Sequence, residues 1–337
     1  MPNPPGSSTL PRLVGLGMLA AAFFSVTFVL NRGLSLSGGH WAWNAALRYI
    51  YLAPLIAGWI WLRGGRARLA AVLQVFVRQS GRWLLAGGVG FGVFYLGICF
   101  AADRAPGWMV ATTWQSTILA TPLVLRGFGA RVPVRGLACM GTIFLGIVAI
   151  NARPLLAGAP PGAVLAGALP VLAAAFAYPF GNQMLNRARH GSDPAVAAVL
   201  RDPAAGVLLL TLGSLPVFAA ALLVTAPPPP TPAQLVGTAG VAVLAGGVAT
   251  TLFLHARNLS ADPLRIAAVD ATQAGEVGFA LLGEMLFLGA PAPDLVGWLG
   301  LLAVSCGLVG FALQGARWRR PPRTWQHPRQ RRETRER

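Results

Sequence analysis

The sequence is dominated by apolar runs of about 20 residues, the length that an α-helix needs to cross the hydrocarbon core of a bilayer. With 55% hydrophobic residues, 11% charged residues and a mean hydropathy of +0.60, the composition excludes an ordinary soluble domain. The sequence therefore predicts an all-α integral membrane protein. Its ten transmembrane helices are expected at residues 13–34, 41–62, 83–102, 107–125, 134–152, 163–185, 203–225, 234–255, 264–287 and 295–314.

The distribution of arginine predicts how the chain is oriented in the membrane. The formal net charge is +17, and the arginines of the loops fall mostly between alternate pairs of spans, thirteen against three. By the positive-inside rule, this bias places both termini in the cytoplasm of a multi-pass protein of the inner (plasma) membrane. Because the arginines lie in loops and in the C-terminal tail rather than along one amphipathic face, we expect no nucleic-acid partner.

Short sequence matches relate the two halves of the chain in one order and at nearly constant spacing. Five helices per copy is an odd number, so the second copy must cross the membrane in the opposite sense. The matches predict a 5+5 inverted-topology repeat, with substrate and ion sites near the midplane between the copies. The matching pairs are Leu30–Arg32 with Leu185–Arg187, Leu47–Arg48 with Leu200–Arg201, Leu85–Val89 with Leu244–Val248, Ala102–Asp103 with Ala261–Asp262, and Gly136 and Gly146 with Gly297 and Gly307.

The repeat also predicts the organisation of the chain into segments. We expect a short cytoplasmic N-terminus at 1–12, a first five-helix repeat at 13–152, a second five-helix repeat at 163–314 and a basic cytoplasmic tail at 317–337.

The ninth predicted span is unusual because it carries four polar side chains. At about 100° per residue, Asp270, Gln273, Glu276 and Glu284 would share one third of the surface of a single helix. Ionisable residues inside a membrane span are costly and usually functional. The pattern therefore predicts that this helix lines a cavity that binds substrate and protons.

Glu276 lies close to the middle of that span and is the predicted proton-coupling or cation-binding carboxylate. The alternative is a permanently neutral acid, hydrogen-bonded to another helix. Asp270 would support Glu276, or form a structural ion pair with Arg48 or Arg265. Glu284 belongs either to the same pathway or to the solvated end of the helix.

Four residues of other spans complete the predicted substrate and proton site. Arg48 lies about seven residues into the second span. It either binds an anionic group or a carboxylate in the cavity, or extends its long side chain to the interface. Trp114 and Gln115 lie in the fourth span, where the repeat places Gln115 opposite Glu276. Asn31 lies near the outer end of the first span.

Four segments distributed between Val14 and Leu313 resemble the drug/metabolite transporter superfamily, and within it the EamA/EmrE-like branch of multidrug resistance efflux transporters. The resemblance implies ten helices built as an inverted five-plus-five repeat. The small four-helix drug exporters use a glutamate in their first helix, but the first span here has Ser25, Thr27 and Asn31 and no acidic residue. The resembling segments are Phe28–Tyr49, Gly90–Gln115, Ala175–Gln183 and Ala271–Pro291.

Together, these features predict a secondary active transporter that exports small molecules in exchange for protons. No nucleotide-binding motif stands out, so a gradient would supply the energy. We expect no enzymatic activity, no cofactor and no metal. The expected partners are a small-molecule substrate, protons and membrane lipids, and the protein would be a monomer or a homodimer. An amino-acid or anionic-metabolite exporter is the alternative within transport, and a non-transporting scaffold or a membrane-embedded enzyme is the alternative outside it.

Overall fold

The structure, a computed structural model, describes residues 9–129, 136–191, 193–260 and 262–318, and all regular secondary structure in them is helical. Most of the predicted N-terminal segment, loop residues 131 and 135 and nearly all of the basic tail lie outside the described residues. Where a π-helical segment joins two α-helical parts, we count one helix. In chain order, the helices are α1 (Leu10–Leu36), α2 (Trp41–Arg78), α3 (Ser80–Arg104), α4 (Gly107–Trp114), α5 (Thr117–Gly127), α6 (Leu137–Leu156), α7 (Pro161–Arg189), α8 (Pro194–Val199), α9 (Pro203–Thr225), α10 (Pro232–Asn258), α11 (Pro263–Ala271), α12 (Ala274–Phe287) and α13 (Leu295–Trp318).

Eight helices of the described part are long and apolar enough to cross a membrane: α1, α2, α3, α6, α7, α9, α10 and α13. They correspond to eight of the ten predicted spans. The other two, the fourth and the ninth, are not continuous helices. The fourth is divided into α4 and α5, and the ninth into α11 and α12.

The two broken spans are interrupted in the same way. The backbone N–H groups of Gln115 and Ser116 donate to the carbonyls three residues earlier, and so do those of Thr272 and Gln273. This spacing is the tighter turn of a 3₁₀-helix, which ends the α-helical pattern and leaves carbonyl groups without their usual partner. Threonine hydroxyls lie beside both breaks and donate to nearby carbonyls, as hydroxyls in helices commonly do.

Two other helices change their winding at a glycine-containing segment. The backbone of α3 becomes π-helical at Gly88–Val93, and that of α10 at Ala242–Ala249. Both segments overlap the matching sequences Leu85–Val89 and Leu244–Val248. Wider π-helical turns are rare and are often found at functional sites.

The Arg-rich segment 63–82 connects the second and third predicted spans, and it is largely helical rather than a loop. The helix α2 continues to Arg78 across a break at Gly65, where φ is 71° and a side chain would be strained. Beyond this break, Arg68 forms an ion pair with Asp202 at 2.9 Å. Asp202 also accepts a hydrogen bond from the backbone N–H of Ala204 and so caps the start of α9. The segment is therefore a helix attached to the bundle.

Close backbone contact between α3 and α9 depends on glycine. Gly87 and Gly213 face each other, and a Cβ atom at Gly213 would overlap the carbonyl group of Trp83. Small residues of this kind allow membrane helices to pack tightly, where there is little hydrophobic driving force between helices. The buried Trp83 ring lies beside this contact and donates from its indole N–H to the carbonyl of Val75, at 3.2 Å.

We predict that Gly213→Ala lowers the stability of the purified protein by about 1–3 kcal/mol, because the added methyl group forces α3 and α9 apart. Thermal unfolding in detergent, followed by tryptophan fluorescence, measures the change. Gly58→Ala in α2 is the matched control, since a Cβ atom there meets nothing within 4 Å. Equal unfolding temperatures for the two variants would contradict the proposed contact.

Candidate functional site

The two broken spans meet at Glu276 and Gln115. Gln115 follows the last residue of α4, and Glu276 lies in the first turn of α12. Both are buried, with 4% and 7% of their surface exposed. The side-chain amide of Gln115 lies beside the Glu276 carboxyl group and donates to the carbonyl of Ala111. The structure thus brings together two residues from opposite halves of the chain.

The position of Glu276 offers its carboxyl group two kinds of stabilisation. The first turn of a helix carries partial positive charge from unpaired N–H groups, which favours an anion. The amide of Gln115 adds a neutral hydrogen-bond donor. Among the described residues, no arginine forms an ion pair with Glu276. A buried acid without a fixed countercharge can gain or lose a proton, or accept a cation, without first breaking an ion pair.

Other polar atoms beside the breaks lack a hydrogen-bond partner. The Ser116 hydroxyl oxygen and the Gln273 side-chain nitrogen are both buried and unpaired within the described structure. Buried polar groups are normally satisfied, and each one left unpaired costs about 1–3 kcal/mol. Gln273 precedes α12 and Ser116 precedes α5, so both lie at the breaks. This region can therefore accept polar groups from a ligand or from water.

Asp270 lies apart from this arrangement. It ends up on α11, whereas Glu276 and Glu284 are on α12, so the expectation of one uninterrupted polar stripe is wrong. Asp270 forms an ion pair with Arg257 near the end of α10, with 3.2 Å between Nε and Oδ1. Both side chains are partly exposed. Asp270 thus forms an ion pair with Arg257, a partner that the sequence did not predict, and none with Arg48.

Glu284 is buried, with 1% of its surface exposed, so the alternative of a solvated charge at the helix end is wrong. Its carboxylate accepts hydrogen bonds from the backbone N–H groups of Gly107 and Trp108, at 2.7 and 3.0 Å. These are the first residues of α4, and a carboxylate there satisfies donors that the helix leaves free. Glu284 therefore attaches α12 to the start of α4.

Arg32 makes the complementary contact at the other side of the same turn. Its guanidinium donates to the carbonyls of Ala102 and Asp103 near the end of α3, at 3.1 and 3.2 Å. Carbonyls at the end of a helix favour a cation. The turn between α3 and α4 is thus held by a cation from α1 on one side and a carboxylate from α12 on the other.

Arg48 points into an aromatic cluster and is only partly buried. Its guanidinium carbon lies 4.3 Å from the centroid of the Tyr95 ring and 5.9 Å from that of Tyr49. This arrangement favours the interior position over extension to the membrane interface. Asn31, which is fully buried, donates from its side chain to the Tyr95 hydroxyl at 2.9 Å. The predicted residues Arg48 and Asn31 therefore meet at Tyr95.

Trp114 belongs to a second aromatic group next to Gln115. Its ring lies 4.9 Å from that of Phe94 and 5.6 Å from that of Tyr178. Phe94 also contacts Tyr95, at 5.9 Å between centroids. Aromatic contacts therefore connect the Arg48 cluster to the residue that precedes Gln115.

The tyrosines of these clusters were not among the predicted site residues. The chain has only four tyrosines, and Tyr49, Tyr95 and Tyr178 all lie in the two aromatic groups. Scarcity of tyrosine inside apolar runs, together with the position of Tyr49 next to Arg48, was the available signal. Asn151 was also missed; it donates to the hydroxyl of Thr113 at 2.8 Å, two residues before Gln115.

The fold and this polar interior define a multi-pass membrane protein with a buried carboxyl group where two interrupted helical segments meet. The family model EmrE, described as "Putative multidrug resistance efflux transporter", matches residues 11–316. The chain therefore belongs to this family of efflux transporters, as the resemblance of its motifs predicts.

Two bacterial proteins are similar over most of the chain. "Uncharacterized protein YjlA" of Bacillus subtilis (strain 168) is 36% identical over 316 residues, which cover 88% of this chain and 93% of that protein. "Uncharacterized 42.1 kDa protein in intracellular alkaline protease 3'region" of Shouchella clausii is 34% identical over 275 residues, covering 77% and 69%. A solved structure described as "Crystal structure of protein" shares the fold, with a TM-score of 0.55, 16% identity and coverage of 92% of this chain and 99% of that one.

We predict that Glu284→Ala destabilises the protein by about 1–3 kcal/mol, because it leaves two buried N–H groups of α4 without an acceptor. Glu284→Gln should be milder, since its one side-chain oxygen still accepts a hydrogen bond. Thermal unfolding of both variants in detergent measures the difference. If Glu284→Ala unfolds at the wild-type temperature, the carboxylate does not hold the start of α4.

Proposed function

We propose that the protein is a secondary active transporter of the inner (plasma) membrane that exports small molecules in exchange for protons. The observation that carries this proposal is the buried Glu276 carboxyl group, which contacts Gln115 where two broken spans meet. Membership in a family of efflux transporters supports a small-molecule substrate and argues against an enzyme. Broken helices are typical of the substrate and ion sites of secondary transporters.

We further propose that α4 with α5, and α11 with α12, each cross the membrane once. This brings the number of crossings to ten, with five in each copy of an inverted repeat and both termini in the cytoplasm. The two breaks and the two π-helical segments fall close to positions that the sequence matches make equivalent. Independent irregularities at equivalent positions are what a duplicated five-helix unit would produce.

In the proposed cycle, proton and substrate exclude each other at Glu276. The carboxyl group releases its proton towards the cytoplasm, the substrate then enters, and a proton from outside displaces it after the halves have rocked. Competition for one carboxylate is sufficient to couple the two fluxes. Gln115 serves as a donor that can accompany either the charged or the neutral form of the acid.

We expect Glu276→Gln to abolish transport driven by a pH gradient, because glutamine keeps the shape and hydrogen bonds of the neutral acid but cannot release a proton. Proteoliposomes loaded with a pH-sensitive dye report proton movement on addition of a lipophilic cation, an amino acid or an organic anion. For any compound that moves protons with the wild type, the variant should retain less than about 1% of the rate, in line with the loss of a group essential to coupling.

Asp103→Asn is the matched control, because it neutralises a partly exposed carboxylate that pairs with its neighbour Arg104. This variant should transport at the wild-type rate. Thermal unfolding in detergent checks that both variants are folded. Gradient-driven transport by Glu276→Gln at the wild-type rate would refute the coupling role, and absence of flux with all three classes of compound would instead favour a scaffold.

A further inference from the structure

Arg48 presents a positive charge inside a membrane-spanning segment without a negative partner. It forms no ion pair with any residue of the described structure, and its Nε atom is buried without a hydrogen-bond acceptor. The ring of Tyr95 provides only a weak electrostatic contact compared with a carboxylate. An unpaired charge in such a place is costly, so its retention points to a negative group that is present only part of the time.

Asn31, which also contacts Tyr95, has an acceptor atom without a hydrogen-bond donor. Its side-chain nitrogen is used in the bond to the Tyr95 hydroxyl, while its Oδ1 atom is buried without a donor. Arg48 and Asn31 both contact Tyr95, so an unsatisfied donor and an unsatisfied acceptor belong to neighbours of one tyrosine. A single ligand that carries an anionic group and a nearby N–H group would satisfy both.

The surroundings of this pair are aromatic. Tyr49 stacks on Phe218 of α9, with 4.9 Å between ring centroids, and lies 5.5 Å from Phe91 of α3. Phe91 belongs to the π-helical segment Gly88–Val93, and Tyr95 follows one turn later. The apolar part of a small ligand would therefore contact flat hydrocarbon surfaces, which gain from burial without requiring further hydrogen bonds.

We propose that the cluster formed by Asn31, Arg48, Tyr49 and Tyr95 is the specificity site for a small zwitterion with an apolar side chain, of the α-amino acid class. Arg48 binds the anionic group, Asn31 accepts from the ammonium group, and Tyr95 positions both side chains. This inference rests on the proposed transport function and names its substrate class. A lipophilic cation is disfavoured by the charge of Arg48, and a simple anion would leave the Asn31 oxygen unsatisfied.

Binding to the purified protein in detergent tests the proposal without requiring transport. The probes are two matched sets: phenylalanine, its amide and 3-phenylpropionate, and leucine, its amide and 4-methylpentanoate. Tetraphenylphosphonium represents lipophilic cations. In each set the amino acid should bind at least about tenfold more tightly than the analogue lacking the carboxylate or the ammonium group, since one charged hydrogen bond is worth this much.

Variants of Arg48 and Asn31 test which residue binds the carboxylate and which binds the ammonium group of the ligand. Arg48→Gln should abolish the preference for the amino acid over its amide, and Arg48→Lys should retain part of it, because lysine keeps the charge without the planar fork. Asn31→Leu should weaken binding of the amino acid but leave that of the deaminated acid unchanged. Arg63→Gln is the matched control on α2; Arg63 lies against the exposed Trp59 ring and should not affect binding.

The outcomes separate this inference from the transport mechanism. The proposal is overturned if no amino acid of the two sets binds, if an amide or tetraphenylphosphonium binds as tightly, or if Arg48→Gln keeps the wild-type preference. Glu276→Gln should lose proton-driven transport while keeping the preference for the amino acid over its amide. If Arg48→Gln does not fold, the same comparison is made with Arg48→Lys. An unchanged preference for the amino acid over its amide in that variant would overturn the proposal.

Discussion

A backbone that crosses a lipid bilayer has no solvent to satisfy its N–H and C=O groups, so any interruption of a helix must be stabilised by the protein itself. Helices are interrupted in both segments where the fourth and ninth spans were predicted, with tight three-residue turns at Gln115 and Ser116 and again at Thr272 and Gln273. Threonine hydroxyls and the contact between Gln115 and Glu276 surround the breaks. Because continuous helices enclose these turns, polar groups that lipid would not tolerate can be kept in the interior.

The location of the acid distinguishes this chain from the small four-helix drug exporters whose first helix carries the glutamate. Here, α1 contributes Asn31 and hydroxyl groups to the interior, and the buried carboxyl group belongs to α12. A carboxylate at the start of a short helix benefits from the helix dipole, which one in the middle of a continuous helix does not. Because the carboxyl group lies at the start of α12 rather than in the first helix, the dipole of α12 contributes to stabilising its charge.

Much of the architecture followed from hydropathy, since apolar runs of sufficient length leave few other folds. The positions of the eight continuous helices were accessible in this way. The register of the two halves, rather than hydropathy, placed Gln115 opposite Glu276. The breaks were not accessible, because each interruption depends on local backbone hydrogen bonds that hydropathy does not report. Because the break in the ninth span was not predicted, Asp270 was expected on the same helix as Glu276, whereas it lies on α11. The partners of Arg48 and Glu284 depend on tertiary packing between distant segments, and periodicity within one helix carries no information about it.

The capping role of Glu284 has a mechanical consequence. One end of α4 is bonded to this carboxylate, and the residue following its other end, Gln115, reaches Glu276 on the same helix α12. A displacement of α12 relative to the start of α4 must therefore break the two hydrogen bonds that Glu284 accepts there. We infer that α12 and the start of α4 shift together rather than slide past each other.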